Sequence, residues 1–159
     1  MANVLLCGPF TKDNPALRNW AAPHLGTERL AAWLRQHGHY ARAHDANRDG
    51  DFLAALTSTP WNIIGFSSIQ ATLPLDIGRA RIAKATCPNA LIVWGGIEAT
   101  LNFQDVFDAA PCDVVALGEG ENLLLTLAEG RDIWECEGFI WRKRARTPTR
   151  EEYAAWWDA

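Results

Sequence analysis

Two segments of the sequence place accessible backbone and a carboxylate directly after an apolar run. LIVWGGIEAT, residues 91–100, changes from four apolar residues to paired glycines and a glutamate. VVALGEGE, residues 114–121, repeats that change. Glycine leaves peptide N–H and C=O groups open to a ligand, although either segment could also be a tight turn or the acidic first turn of a helix. Together they predict contacts to a large, flat ligand that lies across the strand ends.

A third apolar run, WNIIGFSS at residues 61–68, ends in two hydroxyl groups. Ser67 and Ser68 could donate to a ring nitrogen or a phosphate of a ligand, or they could bond nearby backbone carbonyls. Gly65 is also small, so this strand end leaves room for something inserted against the sheet.

Apolar runs of this kind alternate with helical patterns along the chain. The last three runs are continuously apolar, as expected for strands that are buried on both faces. The alternation predicts an α/β fold of the flavodoxin-like, Rossmann type, a five-stranded parallel sheet in the order 2-1-3-4-5 with helices on both faces. The predicted strands are residues 3–8, 40–47, 61–68, 90–96 and 112–120. The predicted helices are residues 27–38, 48–57, 74–87, 102–110 and 121–130.

Ligands of such sheets bind outside the carboxyl ends of the strands. The segments CGPF, FSSIQAT, WGGIEAT and LGEGE all follow predicted strands, so these loops should converge on one rim. His24 precedes the first helix and would lie on the same rim, where a packing role is favoured over metal binding. His37, His39 and His44 are expected to be surface or packing histidines.

Several motifs of nucleotide-binding proteins and hydrolases are missing. GxGxxG does not follow the first predicted strand, and neither GxxxxGK[ST] nor GxSxG occurs. The third strand ends in serines, whereas a phosphorylated receiver domain would need an aspartate there. The sequence therefore gives little support to a nicotinamide, flavin-adenine or P-loop nucleotide site, or to a catalytic triad.

Length and composition are those of a single globular domain, with 159 residues of which 48% are hydrophobic and 21% charged. We assign residues 1–132 to this domain. Residues 133–159 read as a tail or linker with an edge strand from Gly138 and a short helix that starts near Thr149. The basic run RKRAR, residues 142–146, is expected to be solvated or to contact an acidic partner.

Charge and hydropathy argue against nucleic acid and membranes as partners. The net charge is −4, and no apolar run approaches the roughly 18–20 residues that a membrane-spanning helix needs. The amino terminus, MANVLLCGPF, does not have the pattern of a signal peptide. Four cysteines without a CxxC pair favour a reduced, cytoplasmic setting.

The ordered set of motifs resembles the cobalamin-binding domain of cobalamin-dependent radical SAM enzymes. The resemblance rests on LRQHGH at the end of the first helix, GFSS on the third strand, GGIEAT after the fourth and GEGE after the fifth. It covers roughly residues 3–128. Each motif is weak alone, and their order and spacing make the set specific.

This resemblance implies a corrin ring on the carboxyl ends of the strands. Its dimethylbenzimidazole tail would be detached from cobalt (the base-off form) and inserted against the sheet. Small residues at the strand ends would accommodate the tail, and several loops would border the ring. The implied cofactor-binding residues are Gly8, Pro9, Phe10, Gly65, Ser67, Ser68, Gly95, Gly96, Ile97, Glu98, Ala99, Gly118, Glu119 and Gly120.

Two departures from related proteins qualify the resemblance. DANRDG, residues 45–50, imitates the spacing of the DxHxxG motif whose histidine binds cobalt, but Asn47 replaces that histidine and the segment follows the second strand. Cobalt could thus lack a lower ligand from the protein. The cluster motif CxxxCxxC is also absent, so no iron–sulfur cluster is expected on this chain.

The sequence therefore predicts a cobalamin-binding module that is not catalytic alone. A radical SAM catalytic domain or subunit would complete a methyltransferase or a radical enzyme that uses S-adenosylmethionine, and a small-molecule or peptide substrate would bind on that partner. The alternative is a cofactor-free, flavodoxin-like regulatory or protein-interaction module that binds a partner through its tryptophan-rich tail.

Overall fold

The computed structural model describes residues 1–11, 23–133 and 136–141. Strands and helices alternate through these residues, as predicted. The strands are β1 (Asn3–Cys7), β2 (Tyr40–His44), β3 (Ile63–Ser67), β4 (Leu91–Gly95), β5 (Val114–Ala116) and β6 (Phe139–Trp141). The helices are α1 (Leu25–Gln36), α2 (Phe52–Thr57), α3 (Leu73–Thr86), α4 (Gly96–Leu101), α5 (Phe103–Ala109) and α6 (Glu121–Glu129). The predicted helix near Thr149 lies outside the described residues.

All six strands form one sheet in the order β2-β1-β3-β4-β5-β6. The first five are parallel and have the predicted order. The prediction of a purely parallel, five-stranded sheet is wrong, because β6 pairs with β5 in the antiparallel direction. The chain enters β6 at the carboxyl end of β5, where the Leu117 N–H donates to the Gly138 carbonyl oxygen at 2.7 Å. An edge strand was expected from Gly138, and β6 supplies it.

Side chains alternate between the two faces of the sheet because the period of a strand is two residues. One face packs against α2, α3 and α5, and we call it the packed face. Its strand residues include Leu5, Cys7, Ile64, Phe66, Ile92, Trp94 and Val115. The other face packs against α1 and α6, and we call it the cleft face. Its strand residues include Val4, Leu6, Ile63, Val93, Val114 and Ala116.

Capping residues at the amino termini of two helices fix the loops at the carboxyl edge of the sheet. His24 caps α1, its Nδ1 accepting a hydrogen bond from the Thr27 N–H at 3.3 Å. Asp51 caps α2 in the same manner through the Leu53 N–H. The segment after β4, expected as a loop, forms the short helix α4. No helix within the described residues is long and apolar enough to cross a membrane.

Candidate functional site

A cleft of about 640 Å³ opens at the carboxyl edge of the sheet, between α1 and α6. Its floor is formed by residues of β3, β4 and β5 that point to the cleft face. These floor residues are Gly65, Ser67, Gly95 and Ala116. Leu6 and Val93 lie on either side of Gly65 in the sheet register and also line the cleft, and Leu30 and Leu124 line it from the two helices. The cleft is thus lined by both apolar and polar groups.

The cleft exists because the strand ends carry almost no side-chain volume on this face. In the sheet register Gly65 lies opposite Val93, and Ser67 lies opposite Gly95. A Cβ atom added at Gly65 would lie 2.7 Å from Leu6 Cδ2. At Gly95 the added atom would meet only the Ala116 Cβ, at 3.7 Å. Larger residues at these positions would therefore project into the space that the cleft occupies.

Ser68 supplies a hydroxyl group without a partner. The residue is 1% exposed and lines the cleft, yet its Oγ makes no hydrogen bond with any described residue. A buried hydroxyl normally has a partner because leaving it unpaired costs about 1–3 kcal/mol. A ligand that reaches this hydroxyl would provide that partner.

Gly96 allows β3 and α4 to approach closely. Its φ is +85°, a conformation that other residues rarely adopt. A Cβ atom there would lie 2.6 Å from Ser67 Oγ and 3.4 Å from the Ser68 carbonyl oxygen. Both constraints arise within the protein, so Gly96 is needed for the shape of the rim whether or not a ligand is bound.

His24 lies at the predicted rim and lines the cleft. Burial lowers its pKa below the ordinary value, with the charge of Asp45 opposing the shift. The Nδ1 lone pair accepts the capping hydrogen bond, which leaves the proton of the neutral ring on Nε2. Nε2 is therefore a hydrogen-bond donor, and the ring has no free lone pair for a metal. Within the described residues no group of three or more His, Cys, Asp or Glu side chains could hold a metal ion.

Charged side chains lie at the mouth of the cleft. Arg29 of α1 reaches across to Glu119 and Glu121, with its Nη2 2.6 Å from Glu119 Oε2 and also in contact with Glu121 Oε1. All three residues line the cleft. Arg29 was not predicted from the sequence, since nothing in its local pattern distinguishes it from an ordinary surface arginine of a helix.

Most of the sequence-predicted site residues line the cleft. These are Gly65, Ser67, Ser68, Gly95, Gly96, Ile97, Gly118, Glu119 and Gly120. Further lining residues come from the start of α1 and from the segment after Ser68, and sequence reasoning did not select them. These additional residues include Leu25, Gly26, Thr27, Leu30 and Ile69.

Two of the remaining predicted residues lie in α4 and do not line the cleft. Ala99 is fully buried in the core of the packed face. Glu98 is buried, and its Oε1 accepts a hydrogen bond from Asn102 Nδ2 at 3.0 Å. The helical turn at α4 directs these positions away from the cleft, which an extended loop need not have done.

The loop Gly8-Pro9-Phe10 is attached to the packed side of the molecule and does not line the cleft. Arg79 Nη1 donates to the Gly8 carbonyl oxygen at 2.8 Å, and the Phe10 N–H donates to Asp76 Oδ1 at 3.1 Å. Asn47 Nδ2 donates weakly to the Pro9 carbonyl oxygen at 3.4 Å.

Asn47, which stands at the histidine position of the DxHxxG spacing, has a structural role in this loop. Its Oδ1 accepts hydrogen bonds from the Thr11 N–H at 3.1 Å and from Thr11 Oγ1 at 3.0 Å. These contacts explain the residue without a metal.

The fold and the cleft define a class of protein, a doubly wound α/β module that takes a ligand at the carboxyl ends of its strands. Residues 21–128 match the B12 binding domain family, and the chain belongs to that family. The resemblance identified from the sequence is therefore confirmed.

Curated relatives are much longer than this chain. Anaerobic magnesium-protoporphyrin IX monomethyl ester cyclase of Cereibacter sphaeroides is 33% identical over 84 residues, covering 52% of this chain and 13% of the cyclase. The protein of the same name from Synechocystis is 28% identical over 86 residues, covering 51% of this chain and 17% of the cyclase.

Solved structures of cobalamin-dependent radical SAM proteins share the fold. The radical S-adenosylmethionine methyltransferase TsrM from Kitasatospora setae, with cobalamin and a 4Fe–4S cluster bound, has a TM-score of 0.65 at 21% identity. The match covers 91% of this chain and 28% of TsrM. OxsB with aqua-cobalamin bound has a TM-score of 0.69 at 18% identity, over 91% of this chain and 21% of OxsB.

Proposed function

We propose that this chain binds cobalamin in the base-off form, with the nucleotide tail in the cleft and the corrin ring outside its mouth. The observation that carries the proposal is the floor of small residues that leads to the buried, unpartnered hydroxyl of Ser68. Gly65 and Gly95 provide the space, and the hydroxyl provides a polar contact for a heterocyclic base. Membership of the B12 binding domain family supports the same ligand.

The size of the cleft fits part of the cofactor. Ligand pockets commonly measure about 300–1,000 Å³, and a cleft of about 640 Å³ suits a base and ribose better than a whole corrinoid. The ring would then lie against the rim. Leu25 and Ile97 are exposed there, and Gly118 contributes backbone without a side chain. Apolar contact and open peptide groups suit a flat ring that carries amide substituents.

Cobalt would have no lower ligand from the described residues. The side chain of Asn47 is hydrogen-bonded to Thr11, and Nδ1 of His24 accepts the hydrogen bond that caps α1. The role of this chain is to bind and orient the cofactor, whereas bound cobalamin supplies the capacity to carry a methyl group or to take part in radical chemistry.

We further propose that a radical SAM catalytic domain or subunit completes the active protein and holds a small-molecule or peptide substrate. The chain matches only 13% to 28% of the lengths of the cyclase and TsrM, which supports a role as one module of a larger system. Residues 1–132 would form the cofactor-binding unit, and the tail from residue 133 would lead to the partner.

Retention of a corrinoid by the purified chain tests the proposal. The protein is mixed with hydroxocobalamin, desalted and examined by absorbance, with flavin mononucleotide as the matched control ligand. We expect close to one corrinoid per chain and no retained flavin. Loss of the corrinoid on desalting would contradict the proposal and favour the cofactor-free interaction module.

A further inference from the structure

The mouth of the cleft carries an unbalanced group of charges, which we call the mouth cluster: Arg29, Glu119 and Glu121. One guanidinium bridges from α1 to two carboxylates near the start of α6. Of the described residues that line the cleft, Arg29 is the only arginine or lysine. His24 does not add a positive charge at neutral pH, because burial keeps its pKa below the ordinary value. The mouth cluster is thus net negative when the cleft is empty.

The two carboxylates of the mouth cluster differ in exposure and in position. Glu121 is 18% exposed and lies in the first turn of α6, where the helix dipole favours a negative charge. Glu119 is 82% exposed and lies in a loop between Gly118 and Gly120, which have no side chains to pack around it. An exposed ion pair of this kind contributes little stability. Glu119 can therefore leave Arg29 at small cost, whereas Glu121 keeps the guanidinium near the mouth.

The guanidinium also has unused donors. Both contacts to glutamate are made by Nη2, and Nε and Nη1 make no hydrogen bond with any described residue. Each of these free N–H groups lies beside an N–H of Nη2, so the guanidinium can bind two oxygens of a phosphate at once only when a glutamate releases Nη2. Its exposed side chain, at 67%, stands at the boundary between the cleft and solvent.

We propose that Arg29 recognises the phosphodiester that links the corrin ring to its nucleotide tail, and that Glu119 competes with this phosphate for the guanidinium. This inference rests on the proposed function, since it concerns a tail that enters the same cleft. The phosphodiester lies between the ring and the base, so a base in the cleft and a ring outside it bring the phosphate to the mouth. Arg29 and Glu119 would then select corrinoids with a complete nucleotide loop over those that lack one.

Binding of two corrinoids to matched variants tests the inference. Affinities for hydroxocobalamin and for cobinamide, which has no phosphodiester or base, are measured by titration for the wild type, Arg29→Gln and Glu119→Gln. Arg48→Gln removes an exposed guanidinium that does not line the cleft, and Glu28→Gln removes an exposed carboxylate of α1; both serve as controls. Far-ultraviolet circular dichroism checks that each variant is folded.

We expect Arg29→Gln to weaken cobalamin binding about tenfold, as for loss of a charge-assisted hydrogen bond, and to change cobinamide binding by less than about twofold. Glu119→Gln should strengthen cobalamin binding about two- to threefold, because it removes a competing and repelling charge. The controls should match the wild type for both ligands.

The outcomes separate this inference from the function on which it rests. If the wild type binds cobalamin and Arg29→Gln affects both corrinoids equally, or neither, the assignment of Arg29 to the phosphate is wrong while cobalamin binding stands. A wild type that binds neither corrinoid would overturn the proposed function and the inference together. Weaker cobalamin binding by Glu119→Gln would overturn the competition between carboxylate and phosphate.

Discussion

Strands β3 and β4 end with opposite kinds of side chain on their two faces. On the packed face Phe66 and Trp94 stack with ring centroids 5.4 Å apart, and Trp94 is fully buried. On the cleft face the same strand ends carry Gly65, Ser67 and Gly95, and a cleft of about 640 Å³ remains. Neighbouring residues along one strand thus either fill the core or leave space for a ligand.

The packed face also contains a buried ion pair. Arg79 lies over the rings of Phe10 and Phe52, at 5.6 Å and 4.7 Å from their centroids, and pairs with Asp76 at 3.1 Å. Burial raises the pKa of Asp76, and the charge of Arg79 opposes that shift. These residues fix the loop after β1, so one side of the sheet provides rigidity and the other provides room.

The largest effect on stability should come from Trp94→Ala on the packed face. It removes a fully buried ring, its stacking on Phe66 and the hydrogen bond from Nε1 to the Pro111 carbonyl oxygen at 3.0 Å. We expect the free energy of unfolding to fall by about 3–5 kcal/mol, measured by urea denaturation. A loss below about 1 kcal/mol would contradict the description of this face as closely packed.

Gly95→Leu should instead abolish ligand binding with little loss of stability. Gly95 has extended backbone angles that any residue adopts, and a Cβ atom there makes only an ordinary contact with Ala116. The rest of the leucine side chain would fill the cleft, so we expect cobalamin affinity to fall at least about 100-fold by titration.

Gly78→Leu is the matched control for Gly95→Leu. It adds the same side chain on α3, where a Cβ atom at Gly78 meets nothing within 4 Å. We expect it to bind cobalamin like the wild type. Equal binding by Gly95→Leu and Gly78→Leu would rule out the cleft as the tail site.

Ser68→Ala should weaken cobalamin binding less than Gly95→Leu does, and its effect on binding should be separable from its effect on stability. The hydroxyl is unpartnered among the described residues, so its removal should leave the free protein as stable as before or slightly more stable. Cobalamin binding should weaken about five- to tenfold if the ligand supplies the missing partner. Thermal unfolding and titration of the same preparations measure both quantities, and unchanged affinity would exclude a contact between Ser68 and the ligand.

The smallest predicted effect is on the pH dependence of stability and comes from His44. This histidine is buried on the packed side, and the centroid of its ring lies 5.6 Å from that of Phe52. Burial, reinforced by the charge of Arg79, lowers its pKa below the ordinary 6.5. The unfolded chain therefore binds a proton more readily than the folded chain, so stability is fully present above that ordinary value and declines as the pH falls through it.

Urea denaturation between about pH 8 and pH 5.5 measures this decline. His44→Leu should make it shallower, and the remaining slope should include a contribution from His24, whose pKa is lowered in the same direction. If stability declined with pH as steeply in His44→Leu as in the wild type, His44 would not contribute to the pH dependence of stability.

Sequence alone predicted the parts of the site that depend on local rules. Apolar runs gave the first five strands, and the rule that ligands bind at carboxyl ends selected Ser67, Gly95 and Gly118. The direction of β6 escaped prediction because it depends on the path of the segment after α6. Arg29 escaped prediction because its partners lie about 90 residues away on another element.

The loop at Gly8 and Phe10 illustrates the same limit. Its attachment to Asp76 and Arg79 joins residues more than 60 positions apart in the sequence. No local pattern predicts such a contact, so the packing of this loop against α3 was not foreseen, and its place beside the corrin stays a prediction. Even so, the family was identified correctly, since its recognition depends on motifs that follow the strands in order.

Electron paramagnetic resonance of the chain loaded with hydroxocobalamin and reduced to the cobalt(II) state tests the central claim most directly. Nitrogen bound below cobalt splits the lines of this spectrum, whether it comes from dimethylbenzimidazole or from a histidine. If the tail is inserted into the cleft and no protein group binds cobalt from below, the spectrum of the wild type should show lines without nitrogen splitting. Splitting that persists in the protein-bound cofactor would contradict the account, because the base or a histidine would then still be bound to the metal.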